Sequence, residues 1–150
     1  EVQKNNTEQT ENKTVTVEEG NIALNKPAFS DSEDPEYPAK NANDGDNATL
    51  WRAADCKPNH WWTVDLGSTF DIHGTEIVWE KSDAVYKYKI ETSTDNQNFT
   101  LKVDKTNNET AADVQKDSFI STGRYVRITV TGLAEGTRAG FYEFRVIGDN

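Results

Sequence analysis

The sequence predicts an all-β domain, a sandwich or a barrel, from three observations. Apolar residues alternate with polar ones in several short runs. Turn-forming stretches such as D-L-G-S, S-T-D-N-Q-N, D-K-T-N-N and S-T-G-R separate these runs. The only plausible helix is a turn or two near Ala39–Asn43. Short strands punctuated by turns are typical of β-sandwiches and barrels.

Each predicted strand is marked by two or more apolar residues in a short run. In chain order these groups are Ile22 and Leu24; Trp62, Val64 and Leu66; Ile72, Ile77 and Trp79; Tyr86, Tyr88 and Ile90; Phe99, Leu101 and Val103; Tyr125, Val126, Ile128 and Val130; and Phe144, Val146 and Ile147. The four tryptophans, Trp51, Trp61, Trp62 and Trp79, are expected chiefly in the core because aromatic residues at strand spacing usually pack there.

Composition narrows the range of partners. The chain has 16 basic and 26 acidic residues, a net charge of −10, and its Lys and Arg residues are scattered. Nucleic acid, anionic membranes and sulfated or uronate-rich polymers are therefore disfavoured. No apolar run is long enough for membrane insertion. The lone cysteine, Cys56, cannot form an intramolecular disulfide and is expected to be a partly buried small residue.

The first 20 residues differ from the rest of the chain. Residues 1–20 are polar and acidic, contain no aromatic residue and end on glycine. This composition is typical of a linker or tail. We therefore expect a single domain over residues 21–150, carried as a monomeric module of a larger protein.

The stretch Asn41–Trp51, N-A-N-D-G-D-N-A-T-L-W, is rich in oxygen donors. Asp44 and Asp46 flank Gly45, and Thr49 offers both a carbonyl and a hydroxyl. Hard oxygen ligands of this kind suit calcium. The alternative is ordinary turn chemistry between strands, with no ion.

Six ordered motifs together resemble a known family. They are N-I-A-L-N-K-P, N-A-x-D-G-D-x-x-T-x-W, W-W-x-V-D-L-G, Y-K-I-E-x-S-T-D-x-x-x-F, R-Y-V-R-I and Y-E-F-R-V-I-G, over about residues 21–148. The chain resembles discoidin, or coagulation-factor type C, domains, whose bacterial members include family 32 carbohydrate-binding modules. The resemblance implies a jelly-roll β-sandwich, a five-stranded sheet on a three-stranded one, with one structural metal ion.

The resemblance also implies the ligands of that ion, which would be structural Ca²⁺ without contact to sugar. They are the carbonyls of Asn41, Asp46 and Tyr142, the carboxylates of Asp44 and Glu143, and both oxygens of Thr49. Seven oxygens are a coordination number suited to calcium.

Ligand-binding residues are expected in the long loops, because strands of a sandwich carry its core. Sugar recognition needs planar polar groups and an aromatic face. Seven candidates meet these needs: Asp34, Tyr37, Arg52, Asp55, His60, Glu80 and Arg138. The alternatives are solvated charges, a packed histidine, a mobile loop, and a pairing of Arg52 with Asp55. The W-E-K-S-D-A-V-Y loop lacks the Arg and Asn that many galactose-specific relatives carry there. Ala139 stands at a position where many members of the family have an exposed aromatic residue.

These observations predict a non-catalytic carbohydrate-binding module that targets an attached, secreted glycan-active enzyme to neutral glycan ends. No hydrolase or metalloprotease motif occurs in the chain, so we expect no enzymatic activity. The expected location is secreted or on the cell surface of a bacterium, with the catalytic domain in the same parent chain. The alternatives are a protein- or lipid-adhesion domain of the same fold, and a spacer packed on its catalytic neighbour.

Overall fold

Seven strands and one short helix make up the regular structure of residues 20–149, the part of the chain that the computed structural model describes. The strands are β1 (Ala28–Ser30), β2 (Trp51–Arg52), β3 (His60–Trp79), β4 (Tyr86–Ser93), β5 (Thr100–Lys105), β6 (Val114–Leu133) and β7 (Gly140–Asp149). A 3₁₀ helix spans Ala39–Asn43, where the sequence predicts one. No helix in these residues is long and apolar enough to cross a membrane. The predicted linker, apart from Gly20, lies outside the described residues.

The two long strands, β3 and β6, connect both layers of the fold. They pair with each other in antiparallel register from His60–Val130 to Val78–Val114, and the register shifts between Asp65 and Phe70. On one side of this shift, β1, the first half of β3, the second half of β6, β4 and β5 are hydrogen-bonded in that order. On the other side, the first half of β6, the second half of β3 and β7 are neighbours, with β2 at the edge of β7.

Aromatic contacts show that these two groups of strands face each other. Trp62 near the start of β3 and Trp79 at its end lie with their ring centroids 5.6 Å and 5.9 Å from that of Phe141. Trp79 also stacks on Tyr86 of β4 at 4.0 Å. The β3–β6 ribbon therefore folds back on itself and encloses the core. This arrangement confirms the predicted β-sandwich, with five strands on three plus the two-residue β2.

Two predicted turns are bends inside strands. The D-L-G-S stretch falls within β3, where Gly67 adopts φ +90°, a left-handed conformation that glycine accommodates. The S-T-G-R stretch falls within β6, and Phe70 pairs with Gly123 beside the bend. The prediction that these stretches separate one strand from the next is wrong, because β3 and β6 each continue through the bend and pair again beyond it.

Two apolar residues lie outside the core: Leu101 of a predicted strand, and Trp61, which was expected in the core. In β5, Val103 pairs with Ile90 and Leu101 with Glu91, so the residue between them is extra. This bulge turns Leu101 outward, and the side chain is 50 % exposed. Trp61 is only half-buried on the outer face of the larger sheet, unlike the three fully buried tryptophans. Its ring is covered by the guanidinium of Arg127, whose Cζ lies 4.0 Å from the ring centroid.

The two ends of the sandwich have different roles. The ribbon folds over at one end, where Gly148 pairs with Ile72 and its N–H donates to the carbonyl of Gly20 at 2.9 Å. The described chain therefore starts and finishes at this end. The loops that follow β1, β2, β3 and β6 gather at the opposite end, which we call the loop end (residues 31–38, 53–59, 80–85 and 134–139).

Candidate functional site

Backbone hydrogen bonds join three segments of the loop end into one surface. The N–H of Asp34 donates to the carbonyl of Arg52 at 2.8 Å, and the N–H of Arg52 donates to that of Tyr37 at 3.1 Å. The N–H of Ala53 donates to the carbonyl of Ala139 at 2.8 Å. These bonds fix the positions of the loop side chains relative to the sandwich.

Tyr37, Arg52 and Glu80 form one unit at the centre of this surface. The Cζ atom of Arg52 lies 4.2 Å from the centroid of the Tyr37 ring. Its Nε donates to Glu80 Oε1 at 3.3 Å, and its Nη2 forms an ion pair with Glu80 Oε2. The hydrogen bond to Glu80 raises the pKa of the Arg52 guanidinium. Glu80 is thus a carboxylate held in one orientation by a fork-shaped donor.

Gly140 allows this unit to sit against the sandwich. A Cβ atom at this position would lie 2.6 Å from the carbonyl oxygen of Trp51 and 3.2 Å from Glu80 Oε1. Only glycine lets β7 approach β2 and the Glu80 carboxylate so closely.

Arg138 and Asp34 form a second ion pair beside the first. Nη1 of Arg138 lies 3.2 Å from Asp34 Oδ2 and 3.4 Å from the carbonyl oxygen of Ala53. The Arg138 side chain is about one-third exposed, and Asp34 is slightly less so. The guanidinium therefore keeps donors that face solvent while its position is fixed.

His60 lies between two carboxylates at the edge of the same surface. Its Nδ1 is 2.9 Å from Asp31 Oδ2, and its Nε2 is 2.7 Å from Asp55 Oδ1. Burial alone would lower the pKa of His60, but the hydrogen bonds and charges of Asp31 and Asp55 outweigh it and raise this pKa. The hydrogen bond with His60 lowers the pKa of Asp55.

The oxygen-rich loop meets the last strand at a buried glutamate. Thr49 Oγ1 donates to Asp44 Oδ2 at 2.6 Å and lies 3.2 Å from the carbonyl oxygen of Asp46. The N–H of Gly45 donates to both carboxylate oxygens of Glu143, at 3.3 Å and 3.2 Å. Asn41 lies in the 3₁₀ helix beside this loop, and Tyr142 directly precedes Glu143 on β7.

The donor chemistry at this point fits a hard cation. Glu143 is fully buried, and burial, followed by the hydrogen bond and charge of Asp44, raises its pKa to about 8. Two neighbouring carboxylates, one of them fully buried, are stabilised by a bound cation. No cluster of three His, Cys, Asp or Glu side chains suited to a metal occurs in residues 20–149. Coordination would therefore need the carbonyl and hydroxyl oxygens as well.

Sequence comparison identifies the family of this fold. A family model for the F5/8 type C domain matches residues 27–144, most of the described chain. The chain belongs to the F5/8 type C domain family. This finding confirms the resemblance to discoidin domains that the sequence motifs indicated. No curated protein matches the chain in sequence.

Solved structures similar to this F5/8 type C domain include modules of glycan-degrading enzymes. Chitosan-binding module 1 of a chitosanase/glucanase from Paenibacillus sp. IK-5 is 30% identical, with a TM-score of 0.77 over 85% of this chain and 98% of that chain. Module 2 of the same enzyme, in complex with chitotriose, is 29% identical, with a TM-score of 0.78 over 85% of this chain and 100% of that chain. A family 89 glycoside hydrolase from Clostridium perfringens is 28% identical, with a TM-score of 0.76 over 86% of this chain and 14% of that chain.

Five of the seven predicted ligand-binding residues of this F5/8 type C domain lie in the loop end, and the other two, Arg52 in β2 and His60 at the start of β3, lie directly beside it. Arg52 pairs with Glu80 and Asp55 with His60, so the alternative that Arg52 pairs with Asp55 is wrong. One face of the Tyr37 ring is covered by Arg52. Ala139 is fully buried, and Cys56 is exposed, contrary to the prediction for the cysteine.

Asp31 is the loop-end residue that the sequence did not single out. It holds His60 through Oδ2, and its Oδ1 accepts a hydrogen bond from the N–H of Trp61 at 2.7 Å. Its position directly after a short strand resembles any turn aspartate. Its partner lies 29 residues away in sequence, and no local motif indicates this pairing.

Proposed function

We propose that this protein is a non-catalytic carbohydrate-binding module whose ligand site is the loop end. The observation that carries the proposal is the fixed carboxylate of Glu80 beside the fixed, partly exposed guanidinium of Arg138, on a family fold whose similar structures include chitosan-binding modules. Planar acceptors and donors held in place are what adjacent sugar hydroxyls require.

The charges of the loop end support uncharged or amine-bearing sugars as ligands. The loop end carries more acidic than basic side chains, even when the flanking Arg52 and His60 are counted as basic. The acidic side chains are Asp31, Glu33, Asp34, Glu36, Asp55, Glu80, Asp83 and Glu135, and the basic ones within the loops are Lys57, Lys81 and Arg138. An acidic surface attracts amines and repels uronates and sulfates. We therefore propose neutral glycan ends as ligands, with amino sugars accommodated by the same carboxylates.

The arrangement of acids supports binding without catalysis. Glycoside hydrolysis needs one carboxyl with a raised pKa beside a second carboxylate. At the loop end, Glu80, Asp34 and Asp55 each contact a basic side chain. The carboxyl with a clearly raised pKa, Glu143, lies on β7 beside the oxygen-rich loop instead.

A structural calcium ion is part of the proposal. Asp44, Thr49, Asp46 and Glu143 converge, and Asn41 and Tyr142 lie on the adjoining elements to add their carbonyls. The ion would neutralise the two carboxylates and link the oxygen-rich loop to β7.

The proposed role is to target a catalytic domain in the same parent chain, in a secreted or cell-surface bacterial enzyme. The family 89 hydrolase carries a module of this fold as a small part of its length, which supports such an arrangement. A monomeric module would act by raising the local substrate concentration, so micromolar-to-millimolar affinities, on the order of −8 to −4 kcal/mol, would suffice.

Calorimetric titration with chitotriose and with uncharged oligosaccharides tests this proposal. Glu80→Gln and Arg138→Ala should each weaken binding about tenfold, because each removes one charge-assisted hydrogen bond. Asp71→Asn is the charge-matched control, since Asp71 is exposed at the opposite end and should leave affinity unchanged.

A folded protein that binds no glycan would overturn the proposal. Binding to lipid vesicles or to cell-surface protein in that case would favour an adhesion domain. If the two variants leave the parent enzyme's activity on polymeric substrate unchanged, a packed spacer is favoured instead.

A further inference from the structure

The geometry around His60 requires a charged imidazole. Both ring nitrogens lie within 2.9 Å of a carboxylate oxygen, from Asp31 on one side and Asp55 on the other. A carboxylate accepts hydrogen bonds, and a neutral imidazole has only one N–H to donate. Both contacts can therefore be hydrogen bonds only when the ring carries two protons. The side chain is only 15% exposed, so water does not readily replace a lost bond.

The two carboxylates are anchored unequally. Asp31 is fixed independently, because its second oxygen accepts the Trp61 N–H at 2.7 Å. Asp55 belongs to a protruding segment, residues 54–58, which we call the tip; most of its residues are exposed. In the described part of the chain, the Asp55 side chain bonds outside the tip to His60, and its other bond is to the N–H of Lys57 within the tip.

Among residues 20–149, hydrogen bonds of the backbone hold the tip only at its base. The N–H of Ala53 donates to the carbonyl of Ala139, and that of Asn59 donates to Val130 at 2.6 Å. The N–H of Ala54 donates to Ser32 Oγ at 2.9 Å. The middle of the tip thus depends on the pair between Asp55 and His60.

We propose that His60 is a proton-operated latch that fastens the tip when doubly protonated and releases Asp55, while keeping Asp31, when it loses a proton. The remaining N–H stays with Asp31 because that carboxylate is already oriented by Trp61. The released Asp55 then faces the lone pair of Nε2, which repels it, and the tip moves into solvent.

The charges around His60 determine whether the latch opens as the pH rises or as it falls. Asp31 and Asp55 are the charged groups acting on the ring, while β6 presents Val130 opposite His60. Asp55 interacts electrostatically with Lys57, and Asp31 interacts electrostatically with Arg127. Each carboxylate is therefore also attracted to one cationic side chain. The pKa of His60 lies above its ordinary value of 6.5 because the two carboxylates outweigh burial. The latch is therefore closed in acid and opens as the pH rises through this pKa.

Opening also matters for ligand binding, a step that rests on the proposed function. The tip follows Arg52, which orients Glu80, after the single residue Ala53. When the tip is released, the surface beside the Arg52–Glu80 pair is no longer held in one position. We therefore expect glycan affinity to fall as the tip is released.

The single cysteine allows the motion of the tip to be measured. Cys56 is exposed within the tip, and a nitroxide label attached there reports its motion by electron paramagnetic resonance. In wild type the slow-motion component should be lost as the pH rises from about 5.5 to about 8.5, a range that brackets histidine titration. The midpoint should match that of the His60 ring, followed by nitrogen NMR. In His60→Phe the label should be mobile at every pH, and in His73→Phe it should behave as in wild type.

Three results would overturn the latch: a label spectrum independent of pH in wild type, a midpoint that differs from that of His60, or a His60 ring that is neutral at the acid limit. The wild-type titration needs no variant to fold. Triacetylchitotriose, which has no titrating group, serves as the ligand probe. Its failure to bind at any pH counts against binding of this glycan and leaves the label and NMR results as an independent test of the latch.

Discussion

Individual residues at the loop end act as pairs of opposite charge. Arg52 with Glu80 and Arg138 with Asp34 hold each other's side chains in place before any ligand arrives. Such pairs at a surface add little to stability. Their value is that the ordering of long side chains is complete before binding, which lowers the entropy cost of recognition.

The His60 contacts should make stability depend on pH within a defined window. The pKa of His60 is raised in the fold, so its contribution is present below the unfolded value near 6.5 and is lost as the pH rises through the folded pKa. The pKa of Asp55 is lowered, so its contribution is present above about 3.9 and is lost as the pH falls through the folded pKa. The stability advantage over His60→Phe should therefore be largest between about pH 4 and 6.5.

Urea denaturation of both proteins across this range measures that advantage. His73→Phe is the control, since His73 is half exposed and lies 3.5 Å from the exposed Asp149. A constant difference between wild type and His60→Phe at all pH values would contradict the assignment of the imidazolium contacts.

The sequence indicated which loop residues lie near one another but not how they pair. Loop placement alone brings Asp34, Glu80 and Arg138 to one end, because strands of a sandwich return their loops to shared ends. Acids and bases in flexible loops can pair in several ways, and the choice depends on distances of about an ångström that no periodicity encodes. Asp31 and the Arg52–Glu80 pair therefore emerged only from the structure.

At the scale of elements, the bulge in β5 gives a test of register. Val103 faces the core and Leu101 faces solvent, although both belong to one apolar run. Val103→Ala should cost about 2 kcal/mol of unfolding free energy because it leaves a cavity. Leu101→Ala removes a larger side chain but should change stability by less than about 0.5 kcal/mol. Equal losses, measured by urea denaturation, would contradict the register.

Strand positions were predictable where apolar residues alternate without interruption, as in Tyr86, Tyr88 and Ile90 of β4. The continuity of β3 and β6 was not predictable. Residues such as Gly67 and the S-T-G-R stretch form the same turn-like sequence pattern whether a strand ends or bends. A strand bends and continues, and does not end, when it pairs with a distant strand that bends at the same point. The residues near the bend do not indicate that pairing.

At the scale of the whole molecule, the proposed calcium ion joins the oxygen-rich loop to the last strand. With calcium at about 100 times its Kd, EDTA should lower the melting temperature of wild type by roughly 8 °C. Asp44→Ala should melt lower and respond little to EDTA, because a charged ligand is missing. Differential scanning calorimetry makes both measurements.

Asp71→Asn is again the matched control and should keep the full response to EDTA, since Asp71 is far from the oxygen-rich loop and exposed. An identical melting temperature for wild type with calcium and with EDTA would show that no stabilising ion is bound.

The meeting of Gly20 with Gly148 has a practical consequence for use of the domain as a reagent. Both ends of the described chain leave the sandwich where the β3–β6 ribbon folds over, away from Glu80 and Arg138. A fluorescent protein fused at either end, or a tether to a sensor chip, would leave the loop surface facing outward. The domain could therefore serve as an oriented probe for staining glycans, with the choice of terminus left to the experimenter.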